Sequence, residues 1–300
     1  SDVGNFMRFG GGLVNITVAD SSFQSSLNTV IFWFRPPLTL TVQHCLFDRV
    51  SNPVYSLSDF SNSAKVRVLQ SRITNTRGMY LTSDVELELS HCHFETNQPA
   101  LSCTICRINS MNNHFERNVP AMELKGAYVT ISNSMFLNNN YMKGGAVSFV
   151  ETRGIIGNST FEGNWADEGG ACFLDIGVII FRNCLFINNY AKGRVTSHKR
   201  ASPANGGAVA CYNADIEMFG STFEGNSCPM SPHTPSQGGA VFSQDCDIIS
   251  TDNTVFQQNF AEKGGSMFLL ATYVGEEEKI ILGDGAFINN TALHGGAIAF

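Results

Sequence analysis

The feature that most limits what this chain can fold into is a repeat. Phe-x-x-Asn recurs at Phe94/Asn97, Phe115/Asn118, Phe136/Asn139, Phe161/Asn164, Phe186/Asn189, Phe223/Asn226, Phe256/Asn259 and Phe287/Asn290. Phe23 and Phe47 stand in the same context without the Asn, and Ile73 fills the remaining gap. Gly-Gly-small follows at Gly144, Gly169, Gly206, Gly238, Gly264 and Gly295. From Phe to the next Gly pair is 8 residues in four of six cases, and from the pair to the next Phe is 17 in three of five. The basic unit is therefore 25 residues, shrinking to 21 where "NQPAL" and "NVPAM" replace "NNYMKGGAV". Turns that vary between constant walls are the mark of a solenoid.

The stretches before the anchors alternate with period two, as in "LTLTV", "KVRVL", "VELEL" and "YVTIS". Val42, Val68, Leu89 and Ile131 each lie five residues before an anchor, whereas Lys65, Arg67, Glu86 and Glu88 point the other way. Such alternation is strand, not helix. Three residues before the anchors runs a polar column: Asp20, His44, Gln70, His91, Asn112, Asn133, Asn158, Asn183, Asn253 and Asp284, with Gly220 as the exception. Small residues follow it, among them Ser21, Ser71, Ser134, Ser159, Ser221, Cys45, Cys92 and Cys184. A buried amide is tolerable only when bonded, so the polar column is read as an asparagine ladder inside the stack.

These patterns predict an all-β fold: a single-stranded parallel β-helix of about eleven coils, right-handed because parallel crossovers overwhelmingly are. Residues 1–300 form one continuous domain, with degenerate coils over 1–93, conforming FxxN coils over 94–300 and GGA turns from 144. At ~4.8 Å per coil the rod is about 50 Å long. The eight FxxN phenylalanines form its inner stack. Both ends fall inside a repeat without an amphipathic cap, so further coils of the same chain are expected at each end. No apolar run approaches the ~20 residues of a membrane helix, so no membrane insertion by this segment is expected.

The net charge of −7 argues against a nucleic-acid partner. Basic residues nevertheless gather in the insertion after Phe186, where Lys192, Arg194, His198, Lys199 and Arg200 form a candidate partner-binding loop. A second insertion, rich in Pro and Ser, follows one coil later over 228–237. Side by side at one corner, they would offer an acidic protein face or a sulfated glycan a docking surface. Of the nine cysteines, Cys45, Cys92 and Cys184 read as buried thiols, Cys103-x-x-Cys106 as structural filling in preference to a redox or metal half-site, and Cys172 with Cys211 as the pair to check for a bond. No cofactor or resident metal is expected.

Repeated GGA[ILV] with FxxN, carried by "FLNNNYMKGGAV", "FEGNWADEGGAC", "FQQNFAEKGGSM" and "FINNTALHGGAI", resembles the polymorphic membrane proteins of chlamydiae. The resemblance is strong over 94–300 and rests on spacing alone before that. It implies an extracellular or cell-surface segment that mediates adhesion or acts as a scaffold, with no catalysis of its own, and partners that are proteins or glycans.

The alternative is a carbohydrate-active enzyme, a lyase or glycoside hydrolase, since parallel β-helices also house these. Its acids would be Asp215 and Asp247, aligned on adjacent coils, with Glu217 and Asp245 beside them. Three sequons are present, at Asn15, Asn158 and Asn289. Asn15 and Asn289 are expected to accept a glycan, and Asn158, placed in the ladder column, is not.

Overall fold

The computed structural model describes residues 7–9, 14–24, 32–34, 38–56, 64–195, 201–229, 235–272 and 278–300. Among the described residues the regular structure is strand throughout, without a helix. A 16-stranded and an 11-stranded sheet run the length of the molecule, and a four-stranded sheet lines the corner just before the glycine pairs. Each strand lies parallel to its equivalent in the next repeat, an arrangement compatible with a solenoid. The described exception is a hairpin stem, Arg194–Val195 antiparallel to Ala201–Ser202.

Alternation in sequence becomes alternation across the sheet. In Ala64–Leu69, Val66 and Val68 are fully buried while Lys65 and Arg67 turn outward. Those cations meet Glu86 and Glu88 of the next repeat, each at 2.9 Å. Exposed cross-strand pairs of this kind contribute only a few tenths of a kcal/mol each. The walls are held instead by their inner side chains.

The anchor strands are short, for example His93–Glu95, His114–Glu116 and Met135–Leu137, and their register sets Phe94, Phe115 and Phe136 one upon another. From Phe94 to Phe287 the rings stack with centroids 4.5–5.1 Å apart and planes within 10°. The strand spacing of a sheet, ~4.8 Å, sets that distance. Every interior ring therefore touches a ring on each face.

The asparagine ladder exists, but in a different column from the one the sequence suggested. Its members are the Asn of FxxN. Each Nδ2 donates to the Oδ1 of the next repeat's Asn at 2.9–3.1 Å, from Asn97 through to Asn290. The same Nδ2 donates to the carbonyl of the anchor in the preceding repeat, as Asn164 does to Phe136 at 2.9 Å. Each Oδ1 also accepts the backbone N–H of the preceding Asn. Two donors and a two-lone-pair acceptor on one side chain meet this demand, and no other short side chain offers both.

The column three before the anchors does something else. Asp20, His44, Gln70, His91, Asn112, Asn133, Asn158, Asn183 and Asn253 all have φ between 47° and 61°, as does Gly220 at 58°. They turn the chain between the two long sheets in the left-handed conformation that Asn, Asp and Gly tolerate best. Asn158 accordingly faces solvent, not the interior. The small column after it is the one that is buried. Ser134 N–H donates to Ser159 Oγ at 3.1 Å, Cys184 N–H to Ser221 Oγ at 3.1 Å, and Cys92 N–H to Asn113 Oδ1 at 2.8 Å. This is a second, shorter ladder of mixed side chains.

The glycine pair has two separate causes. The first Gly has positive φ, as at Gly169 (63°) and Gly206 (63°). The second, Gly296 apart (φ 34°), does not, but a Cβ on Gly170 would collide with the Gly207 carbonyl of the next repeat. The third position, Ala146, Ala171, Ala208 or Ala240, is fully buried, so only a small side chain fits.

The cysteines need two corrections. Cys103 and Cys106 are not filling but are disulfide-bonded, with Cα atoms 6.2 Å apart, and they bracket the bend at Ile105. Cys211 is bonded to Cys246, not to Cys172. The register places Cys172 beside Val209 and Cys211 beside Leu174, two positions out of step. Cys45, Cys92, Cys172, Cys184 and Cys228 are free and buried.

Candidate functional site

The inward positions are committed to packing, so any chemistry open to a ligand lies on the outward ones. Two outward rows cross the 16-stranded sheet. One runs Lys65, Glu86, Arg107, Tyr128, Arg153, Val178, Asp215; the other Arg67, Glu88, Asn109, Thr130, Ile155, Ile180, Glu217. Between Glu86 and Ile180 the rows line an open trough of about 980 Å³. Tyr128 stands in its middle, 61% exposed. Arg107 and Arg153 are its neighbours on the strands either side. Neither arginine has an ion-pair partner among the described residues, in contrast to Lys65 and Arg67. Ile155, 43% exposed, adds an apolar step beside them.

The acids singled out for catalysis lie at the far end of the same rows. Asp215 and Asp247 are adjacent, since Ile216 N–H donates to the Asp247 carbonyl at 2.9 Å. Burial, and then the charge of Asp247, raises the Asp215 carboxyl above its usual range, with Arg153 opposing. Burial, and then Asp245 and Asp247, raises Glu278 in the same way. Asp247 Oδ1 accepts the Lys279 N–H at 2.8 Å. Asp245 accepts the Thr272 N–H and hydroxyl, both at 2.6 Å. Two of these acids therefore hold the backbone of the following repeat. Glu217 sits between Ile180 and Ile249.

The basic loop is placed in part. His198, Lys199 and Arg200 lie outside the described residues. Lys192 packs its ammonium 3.8 Å from the Trp165 ring centroid and 4.0 Å from Asp167. Arg194 points its guanidinium at Met142 Sδ, 3.7 Å away. Burial raises the Asp167 carboxyl, with Lys192 and Arg194 countering. Lys192 is thus already engaged by a cation–π contact and an acid. Beneath the two insertions Ala191, Ala204, Cys228 and Ala261 form a small buried cluster, so both spring from one corner.

Of the sequons, Asn15, Asn158 and Asn289 are all exposed. The Tyr128 trough was not singled out from sequence. The signal available was a lone aromatic at a position where neighbouring repeats carry charges.

Compared with protein-family models, curated proteins and solved structures, the chain matches none.

Proposed function

We propose that this chain is a right-handed parallel β-helix of about eleven coils, of the kind found in chlamydial polymorphic membrane proteins. It acts outside the cell or at its surface as a non-catalytic adhesin or scaffold segment. Its ligand is an acidic glycan or an acidic protein strand laid along the trough. One observation carries the reading: an exposed aromatic flanked by two arginines without ion pairs among the described residues, Arg107–Tyr128–Arg153, on one sheet face. An aromatic face stacks on a sugar ring, and guanidinium forks take carboxylate or sulfate groups bidentately. Two disulfides support an oxidising, extracellular setting. The basic loop is the secondary contact, since Lys192 already has partners.

The test is binding of a sulfated oligosaccharide and of an uncharged one of equal length to the intact chain. It is repeated with Tyr128→Ala, with Arg107→Gln/Arg153→Gln, and with residues 193–204 deleted. Loss of at least tenfold in the trough variants, with the deletion near wild type, supports the reading. Full retention in the trough variants and loss in the deletion would transfer the site to the loop. A crowded acid pair favours the enzymatic alternative, and release of sugar fragments abolished by Asp215→Asn would establish it.

A further inference from the structure

On the outer face of the 11-stranded sheet the tripeptide His-Phe-Glu occurs twice in succession, and the register superimposes His93 on His114 and Glu95 on Glu116. Phe94 and Phe115 point inward as anchors. Alternation across a strand therefore presents His and Glu together on the outside. The imidazoles stack at 4.7 Å with a 12° tilt. Each Nε2 lies 3.4 Å from the Oε2 of its own strand's glutamate. Ligand atoms of His93, His114 and Glu116 all fall within 4.8 Å of one another.

We propose that His93, His114 and Glu116 bind a divalent late transition metal, zinc being the ion their donor set suits. Two imidazoles and a carboxylate with a fourth position open is a familiar zinc set. Donor atoms at ~2.0–2.2 Å from a tetrahedral ion are roughly 3.3–3.5 Å apart. His114 Nε2 and Glu116 Oε2, 3.4 Å apart, already stand at that spacing, and the separations to His93 have at most about 1.5 Å to close, which rotation of half-buried rings accomplishes without moving the strands. The surrounding charges also fit. Arg72 Nη2 holds Glu95 at 2.9 Å, and Arg117 bonds both Glu95 and Glu116 through their other oxygens. Glu95 is thereby neutralised by two arginines, while Glu116 keeps one oxygen toward the histidines. Arg117 acts as an orienting partner for the ligand carboxylate, a role second-layer groups commonly fill. The remaining position opens to solvent, where a partner's imidazole or carboxylate can complete the shell.

The experiment is calorimetric titration of the full chain with zinc chloride, alongside cobalt(II) as a spectroscopic probe. One equivalent binding at micromolar concentration or tighter is expected, with the intense visible bands of four-coordinate cobalt. His93→Ala and His114→Ala should each weaken binding at least tenfold, and Arg117→Gln less so. His91→Ala, a nearby surface histidine outside the set, should leave it unchanged. The ligands are partly exposed, so these variants should keep the wild-type circular dichroism and melting temperature without metal. Binding that persists in the His93→Ala/His114→Ala double variant overturns the assignment. So does binding seen only at millimolar zinc, or an octahedral cobalt spectrum.

Discussion

Replacing Asn164 by alanine is the sharpest test of what holds these repeats together. Asn164 is fully buried and its side chain makes four hydrogen bonds. Its Oδ1 accepts the Asn139 N–H at 2.9 Å and the Asn139 Nδ2 at 3.0 Å. Its Nδ2 donates to the Phe136 carbonyl at 2.9 Å and to Asn189 Oδ1 at 3.0 Å. Alanine leaves the Asn139 N–H without its partner and takes the amide donor from the Phe136 carbonyl. The other two groups keep one bond each, since Asn139 Nδ2 still reaches the Phe115 carbonyl and Asn189 Oδ1 still accepts the backbone N–H of residue 164. At ~1–3 kcal/mol for each of the two buried polar groups left unmade, the change should cost about 2–6 kcal/mol. The control is Asn158→Ala, at φ 49° on the exposed corner. It loses only left-handed tolerance, roughly 1 kcal/mol, and Asn158→Gly should cost nothing measurable. Urea unfolding followed by the fluorescence of neighbouring Trp165 reads this repeat directly. Long repeat arrays need not unfold in two states, so hydrogen exchange at residue 139 supplies a local measure. If Asn158→Ala destabilises as much as Asn164→Ala, the ladder has been assigned to the wrong column.

Three further outcomes follow from the same packing. Phe161→Ala empties a site between Phe136 and Phe186, at 4.7 and 4.8 Å, and should cost about 3–5 kcal/mol by chemical denaturation. Burial pushes the Cys92 and Cys184 thiols from an ordinary 9.0 up to about 11, so both should resist alkylation at pH 8 until the chain is unfolded. Their folded values are raised, so the stability is complete below pH 9 and is lost as pH rises to about 11, by roughly 2.7 kcal/mol per thiol; a melting temperature flat across pH 9–11 would refute this. Secretion from a eukaryotic host should place glycans on Asn15, Asn158 and Asn289 alike, and mass spectrometry showing Asn158 bare while the others are occupied would contradict its exposure.

The strands, the anchors and the parallel stacking were legible because each rests on periodicity, and periodicity survives in a bare sequence. Which polar column lies inside was not. Both the Asn of FxxN and the residues three before Phe are rich in Asn, for different reasons. One needs an amide with two donors and an acceptor, and the other needs tolerance of positive φ. Gly220 was the clue, since a glycine can take a left-handed corner but cannot extend a ladder. His44, Gln70 and His91 at the same corner pointed the same way. The disulfides were missed because pairing depends on register to within a residue, and Cys246 reaches Cys211 from the next repeat through a bend at Asp245. The trough was missed because Arg107, Tyr128 and Arg153 are far apart in sequence and belong to no motif.

That contrast bears on where the activity resides. The inner columns are dictated repeat by repeat, and a substitution there is felt as lost stability. The outer rows carry a different residue on almost every strand: Glu86, Arg107, Tyr128, Arg153, Val178, Asp215. Packing does not require that order, so it is free to encode recognition. The charges also change sign along the row, from the paired Lys65–Glu86 end, through two arginines with no ion pair among the described residues, to the acids at Asp215 and Asp247. On the proposed reading, an acidic ligand would be drawn to the middle of the row and repelled beyond Val178. Lengthening the salt gradient should weaken that placement for Arg107 and Arg153, which are open to solvent, while leaving the ring stacking of Tyr128 in force. A wild-type chain whose binding keeps a salt-independent component, absent in Tyr128→Ala, is what this division of labour requires.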